Sequence, residues 1–342
     1  MREPTKRRRA AITAVGHYLP ERALSNFDLE KMVDTTDDWI RTRTGIRERR
    51  ILDQGGTSDM AVKAVEMTLK NRGMTPNDID VIIVATVTPD MFFPSTACLI
   101  QRKIGAAKAF GFDVSAACSG FLYALVIGSQ FIENGTYKAV VVVGADKMSS
   151  ITDYEDRNTS VLFGDGAAAV LLEPTDDPSV GIIDHILHSD GSGERALFMK
   201  AGGSLHPATR ETVERREHFL YQDGKAVFKV AVVGMANVAK EIMDRNDITS
   251  DDIDWLVPHQ ANLRIITACA ERMGLDESKV MVNIDRYGNT TAATIPLCLS
   301  EWWHCNKLTA GQTLVLSAFG AGYTWGAVLV KWSMRNKAGA SA

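Results

Sequence analysis

Two hexapeptides, Thr75-Pro-Asn-Asp-Ile-Asp80 and Thr249-Ser-Asp-Asp-Ile-Asp254, stand directly before the apolar runs VIIVATVTP (81–89) and WLVPHQ (255–260). Asp80 and Asp254 are 174 residues apart, about half of a 342-residue chain. The echo continues downstream. GFDVSAACSGFLYAL (111–125) is placed like NIDRYGNTTAATIPLCL (283–299), with Cys118 lying 38 residues after Asp80 and Asn289 lying 35 after Asp254. Each half then closes with a glycine-bearing turn and a strand, Phe163-Gly-Asp-Gly166 before AAVLL and Phe319-Gly-Ala-Gly322 before GAVLV. Three elements repeated in one order indicate an internal duplication. The chain therefore divides into two related halves, 1–178 carrying the cysteine and 179–342 carrying a histidine and the asparagine.

Outward from these motifs, short β-rich runs alternate with helical patterns. VIIVATV, KAVVVVGA, AAAVLLE, DWLVPH, QTLVLSAFG and GAVLVKW are Val/Ile/Leu-rich and predict buried strands. Residues 58–72 and 225–244 space their apolar residues as helices do. Alternation over the whole chain predicts an α/β layered fold. Residues 194–222 are polar and charged, and predict a surface excursion over the core. The apolar fraction is 45%, the charged fraction 23% and the net charge −4, as in ordinary globular proteins and unlike nucleic-acid-coating ones. The longest apolar runs are too short to span a bilayer. The basic start, Lys6-Arg7-Arg8-Arg9, is expected to be a solvated tail rather than a nucleic-acid arm, and the run AAITAVGHYLPER after it is a poor secretory signal. Five cysteines, at 98, 118, 269, 298 and 305, form no C-x-x-C pair, so a disulfide framework or zinc site is not expected and a reducing cytoplasm is.

If the halves pack about a pseudo-twofold axis, equivalent loops converge beyond the carboxyl ends of the strands. Cys118 follows the strand-like FGFDV and precedes the helical run SGFLYALVIGSQFIENG. A seat at a helix N-terminus favours the thiolate, the nucleophilic form. The alternative is a packed core cysteine, the assignment given to the other four. His259 sits where the strand WLVP ends and a helix begins; it is either a ring presented to a pocket or a satisfied core histidine. Asn289, in Tyr287-Gly-Asn-Thr-Thr291, is either a helix cap or a donor. An Asn and a neutral His together can donate two hydrogen bonds to one oxygen, which stabilises an enolate without supplying a proton.

DVSAACSGFLYAL, VPHQANLRI, YGNTTAATIPL and FGAGYTWGAVLV together resemble the β-ketoacyl-acyl-carrier-protein synthase III family of thiolase-fold condensing enzymes. DDWIRTRTGIRERR, DRNTSVLFGDGAA and VFKVAV extend the resemblance over nearly the whole chain. It implies duplicated α/β halves in a five-layered α-β-α-β-α core. It also implies a decarboxylative Claisen condensation: Cys118 takes an acyl group from a short acyl-CoA, then malonyl-acyl-carrier protein binds. His259 and Asn289 hold the malonyl thioester oxygen, and the enolate left by loss of carbon dioxide attacks the acyl-cysteine. The N–H groups of Cys118 and Ala321 form the oxyanion hole. The product, a 3-oxoacyl-carrier protein, starts type II fatty-acid synthesis.

By the same resemblance, Thr35, Trp39, Arg43, Arg157, Gly224, Phe228 and Asn262 bind CoA, with Trp39 and Arg157 flanking the adenine. Gln260, Ala261, Asn262, Leu263 and Arg264 meet the carrier protein. Phe93 reaches the acyl pocket of a partner subunit in a cytoplasmic homodimer. No metal or redox cofactor, nucleic acid or membrane is implied, the CoA thioester being a substrate. The family's FGGG-like turn reads FGAG here, so Ala321 adds a Cβ that needs a compatible φ. The main rival is a related condensing enzyme of polyketide or other secondary metabolism. A non-catalytic acyl-binding protein and a Cys-His-Asn protease are more distant.

Overall fold

The computed structural model describes residues 8–335. Lys6 and Arg7 of the basic start lie outside them. Arg8 and Arg9 do not form the expected solvated tail: Arg8 pairs with Asp176 and Arg9 donates to the Pro178 carbonyl. Both partners stand on the link between the two sheets.

The first sheet has the strand order Arg9–Tyr18, Gly166–Thr175, Val140–Asp146, Val81–Ala85, Phe110–Val114. The last three are mutually parallel and the first two alternate. The second sheet runs Gly181–Ser189, Thr324–Lys331, Thr313–Gly320, Trp255–Pro258. It has the same alternation, and Leu256 makes a parallel bridge to Val280 where the first sheet has its fifth strand. The two sheets thus share strand order and direction.

Val81–Ala85 and Val140–Asp146 are buried at every position, which their unbroken apolar runs require. The helices Gly120–Glu133 and Thr294–His304 pack between the sheets in one apolar cluster with both. Thr57–Arg72 and Thr96–Ile104 cover the outer face of the first sheet. Gly224–Arg245 and Leu263–Met273 cover the outer face of the second. The result is the five-layered α-β-α-β-α core. Residues 194–222 do lie mainly at the surface, but their hairpin, Leu197–Met199 with Leu220–Gln222, also walls the central cleft.

All five cysteines are free. Cys98 and Cys305 are exposed, which corrects the expectation that each was a packed core residue. Cys305 follows the end of a helix, and Cys98 is on the solvent side of one.

The halves meet closely at Gly144, where a Cβ would collide with the Ala292 carbonyl of the opposite half. A glycine is required there because the two backbones touch. Gly144→Ala is expected to cost about 1–3 kcal/mol in chemical denaturation. Gly203→Ala, at a position with open space around it, should leave the midpoint unchanged.

Candidate active site

Cys118 and His259 enter the central cleft from loops just after the parallel strands Phe110–Val114 and Trp255–Pro258, where open α/β sheets place ligands. The cleft holds about 720 Å³ and is lined by Cys118, His259 and Asn289 together, with Phe163, Phe319 and Gly320 around them. Cys118 sits in a single turn, Ala117–Ser119, ahead of the helix Gly120–Glu133. The turn needs a left-handed residue, Ala117 at φ +46°. Thr291, two residues after Asn289 in the opposite half, repeats this at φ +49°. Left-handed backbone costs a non-glycine roughly 1–2 kcal/mol, so both turns are held by their surroundings.

The hold is visible at Asp146, a fully buried carboxylate at the end of a valine strand. One oxygen accepts from the Val87 and Thr88 N–H groups at 2.8 and 3.1 Å and from the Thr86 and Thr88 hydroxyls at 3.0 and 2.9 Å. The other accepts from the Thr291 hydroxyl and, at 3.3 Å, the Ala292 N–H. A single side chain thereby fastens the loop of one half to the turn after Asn289 in the other. Burial pushes the Asp146 carboxyl above its ordinary range, and those donors oppose the shift.

Asn289 is buried, and its Oδ1 accepts from the Thr291 N–H at 2.9 Å. The helix cap expected of this asparagine is not what forms: the cap position is Thr290, and Asn289 makes a local side-chain turn one residue before it. That turn fixes the amide so that Nδ2, the donor end, is left for the cleft. The asparagine amide acts on the Cys118 thiol in the direction that lowers its pKa. Its backbone is stitched to the opposite half by Asn289 N–H to Leu162 carbonyl at 2.9 Å and Gly164 N–H to Asn289 carbonyl at 3.1 Å.

His259 is almost fully buried, with Nδ1 2.8 Å from the Thr294 hydroxyl and Nε2 without a partner among the described residues. Burial lowers its pKa to about 3, so the ring is neutral at physiological pH. The sulfur departs from expectation. Burial, reinforced by the charge of Asp146, pushes the Cys118 thiol up to about 12, against the opposing effect of the Asn289 amide. The helix seat alone does not make this sulfur anionic, because burial and a nearby carboxylate outweigh it; the resting pair is a neutral thiol and a neutral imidazole.

Gly320 touches the nucleophile turn so closely that a Cβ would stand 2.7 Å from the Cys118 nitrogen. Ala321 follows it, outside the left-handed region, so its Cβ adds no backbone strain; Gly322 takes the φ of +136° instead. The Ala321 carbonyl accepts from the Thr324 hydroxyl at 3.1 Å.

Trp39, Arg43, Gly224, Phe228, Ala261, Asn262 and Arg264 line the outer cleft, whereas Thr35 and Arg157 are not among its lining residues. Trp39 and Arg157 do not stand apart as an open clamp. The Arg157 guanidinium lies 4.7 Å from the Trp39 ring centroid, with Arg43 at 4.9 Å, so a flat ring enters only if a guanidinium moves aside. Asn262 caps its helix, accepting from Arg264 N–H at 2.9 Å, and donates to the Arg43 carbonyl at 2.9 Å. Gln260 does not belong to a carrier-protein surface. It is wholly buried, donating to the Pro258 and Met281 carbonyls and accepting from the Asn283 and Ile284 N–H groups. Leu263 and Arg264 beside it are exposed. Phe93 is 84% exposed and outside the cleft.

Asp146 and Thr294 belong to the site although no sequence motif singled them out. The signal for Asp146 was a lone carboxylate closing an otherwise apolar strand; Thr294 carried none beyond its place in GNTTAAT.

Residues 112–191 match the family described as 3-oxoacyl-[acyl-carrier-protein (ACP)] synthase III, and residues 243–332 match its C-terminal family. A β-ketoacyl-[acyl-carrier-protein] synthase III of Chlorobium luteolum is 60% identical over 326 residues, covering 94% of this chain and 99% of the relative. One from Porphyromonas gingivalis is 56% identical, covering 95% and 96%. The crystal structure of 3-oxoacyl-[acyl-carrier-protein] synthase III from Aquifex aeolicus superimposes with a TM-score of 0.87 at 43% identity, covering 94% of this chain and all of that one. Fold and relatives together define a thiolase-fold condensing acyltransferase. The chain belongs to the β-ketoacyl-acyl-carrier-protein synthase III family, whose condensation starts fatty-acid synthesis, and these relatives do not favour the polyketide alternative.

A thiol with so high a pKa is expected to react with a small neutral alkylating reagent ever faster from pH 7 to pH 10, without a plateau. Peptide mass spectrometry of Cys118 against pH checks this. A plateau below pH 7 would mean that the sulfur rests as a thiolate.

Proposed function

We propose that Cys118, His259 and Asn289 perform the two half-reactions of this condensation in the one cleft they share. The observation that carries the reading is their convergence. A sulfur, an imidazole whose Nε2 has no partner among the described residues, and a carboxamide whose oxygen is committed to the Thr291 N–H line one cavity, although they come from three distant segments.

In the loading step the Cys118 sulfur attacks the thioester carbonyl of acyl-CoA. Its proton passes to the Nε2 lone pair of His259 and then to the departing CoA sulfur, which leaves as the thiol. Backbone N–H groups of Cys118 and Ala321 hold the oxyanion. In the condensing step Asn289 Nδ2–H and His259 Nε2–H hold the thioester oxygen of malonyl-carrier protein. The carbon–carboxylate bond breaks, carbon dioxide leaves, and the enolate carbon attacks the acyl-Cys118 carbonyl. The sulfur leaves as the thiolate and takes a proton from water entering the cleft, which restores the thiol. Loss of carbon dioxide supplies the driving force, so no metal or redox cofactor is needed.

Phe163 and Leu197, part of a small apolar cluster with Met148, Leu220 and Val87, line the same cleft as Cys118 and suit a short acyl chain. The outer cleft, with Trp39, Arg43, Gly224, Phe228 and Asn262, takes the CoA arm, with Thr35 and Arg157 beside its nucleotide end. Ala261, Leu263 and Arg264 at the rim meet the carrier protein, where an exposed guanidinium suits an acidic or phosphorylated partner. Phe92 and Phe93, 78% and 84% exposed, are covered by a second copy in a homodimer. Five free cysteines suit a reducing cytoplasm.

After incubation with a panel of acyl-CoAs, intact-protein and peptide mass spectrometry should show one acyl adduct, on the Cys118 peptide, and Cys118→Ala should not load. His259→Ala and Asn289→Ala should still load to some degree and lose condensation by about 100-fold or more. Normal condensation by both of these variants would overturn the role assignment.

A further inference from the structure

The two half-reactions ask opposite things of one nitrogen. Loading needs a lone pair on His259 Nε2, and condensation needs a proton there. Since the ring is neutral, it carries a single N–H, and whatever pairs with Nδ1 decides where that proton sits.

That partner is Thr294, whose hydroxyl oxygen is 2.8 Å from Nδ1 and 3.0 Å from the Thr291 carbonyl. A hydroxyl has one proton and two lone pairs. If it donates to the Thr291 carbonyl, it must accept from Nδ1–H, and Nε2 carries the lone pair. If it rotates to donate to Nδ1, the ring proton sits on Nε2. The first arrangement makes two hydrogen bonds and the second makes one. The Thr291 carbonyl does not go unsatisfied in the second, because it also accepts from the Thr294 backbone N–H. The hydroxyl therefore pairs with Nδ1 in either tautomer, and the first is favoured by one hydrogen bond.

Resting on the reading of His259 given above, we propose that Thr294 is a positioning residue that keeps the His259 proton on Nδ1 in the free enzyme, so that Nε2 stands ready to take the Cys118 proton during loading. Its hydroxyl turns to Nδ1 when the thioester oxygen of malonyl-carrier protein calls for a donor. The ring proton is exchanged with water entering the cleft between the two half-reactions. Thr291 takes part only through its carbonyl, which Asp146 steadies by holding the Thr291 hydroxyl.

The test compares wild type with Thr294→Val, which keeps the branched shape but lacks the hydroxyl, and with Thr294→Ser, which retains it. Nitrogen-15 spectra of histidine-labelled enzyme should show a protonated Nδ1 at His259 in wild type and in Thr294→Ser. In Thr294→Val the proton should shift to Nε2, because an unpaired buried N–H is worse than an unpaired lone pair. Acylation of Cys118 should fall about 10-fold or more relative to condensation from preloaded acyl-enzyme, and serine should restore it. A purely structural role would slow both half-reactions alike. The proposal is overturned if wild type carries the proton on Nε2, or if the valine variant slows both half-reactions equally or neither. Should the valine variant fail to fold, the wild-type spectrum alone decides. If Thr294→Val behaves as wild type while His259→Ala does not condense, only the Thr294 assignment falls; if His259→Ala condenses normally, the reading beneath it falls as well.

Discussion

One carboxylate holds the two halves of the site in register. Asp146 accepts hydrogen bonds from Thr86, Val87 and Thr88 on one side and from Thr291 and Ala292 on the other. The second group belongs to the turn that carries Asn289. The carboxylate works with the backbone bonds between Asn289 and both Leu162 and Gly164 to bring a carboxamide from residue 289 to the sulfur of residue 118. Burying a charged group is costly unless its hydrogen bonds are made, and here they are made from both halves at once. The same region brings the Gly144 backbone against Ala292 and Gly320 against the Cys118 turn, close approaches that exclude a side chain.

The chemistry follows from how dry this junction is. Burial keeps His259 neutral and raises the pKa of the Cys118 thiol, so the nucleophile proposed above is not a standing thiolate but a thiol that shares its cleft with a neutral imidazole. A neutral imidazole suits both tasks, since a charged one would have no lone pair to offer the thiol. Asn289 contributes a donor whose orientation does not depend on substrate, because its oxygen is already committed to the Thr291 N–H. This is electrostatic preorganisation achieved with backbone groups.

Much of this was legible in the sequence. The runs VIIVATV, KAVVVVGA and QTLVLSAFG became central strands because an unbroken apolar run has no other stable place than a sheet covered on both faces. The repeated hexapeptides marked equivalent strands in sheets of equal order. Other features depend on contacts across the fold and leave no local trace. Gly181–Ser189, interrupted by aspartate and histidine, joins the second sheet at its edge. Gln260 looks like a surface residue in HQANLR, yet its amide is consumed by four backbone groups. The protonation state of Cys118 was misjudged because a helix terminus can be read from sequence, whereas depth of burial and the approach of Asp146 cannot.

The most direct measurement is a crystal structure of the enzyme after reaction with acyl-CoA alone. It should show the acyl carbon bonded to Cys118 Sγ, the carbonyl oxygen held by the Cys118 and Ala321 N–H groups, and Asn289 Nδ2 and His259 Nε2 facing an open position beside the thioester. An acyl group on another cysteine, or a CoA arm lying outside the cleft with Cys118 unmodified, would contradict the account.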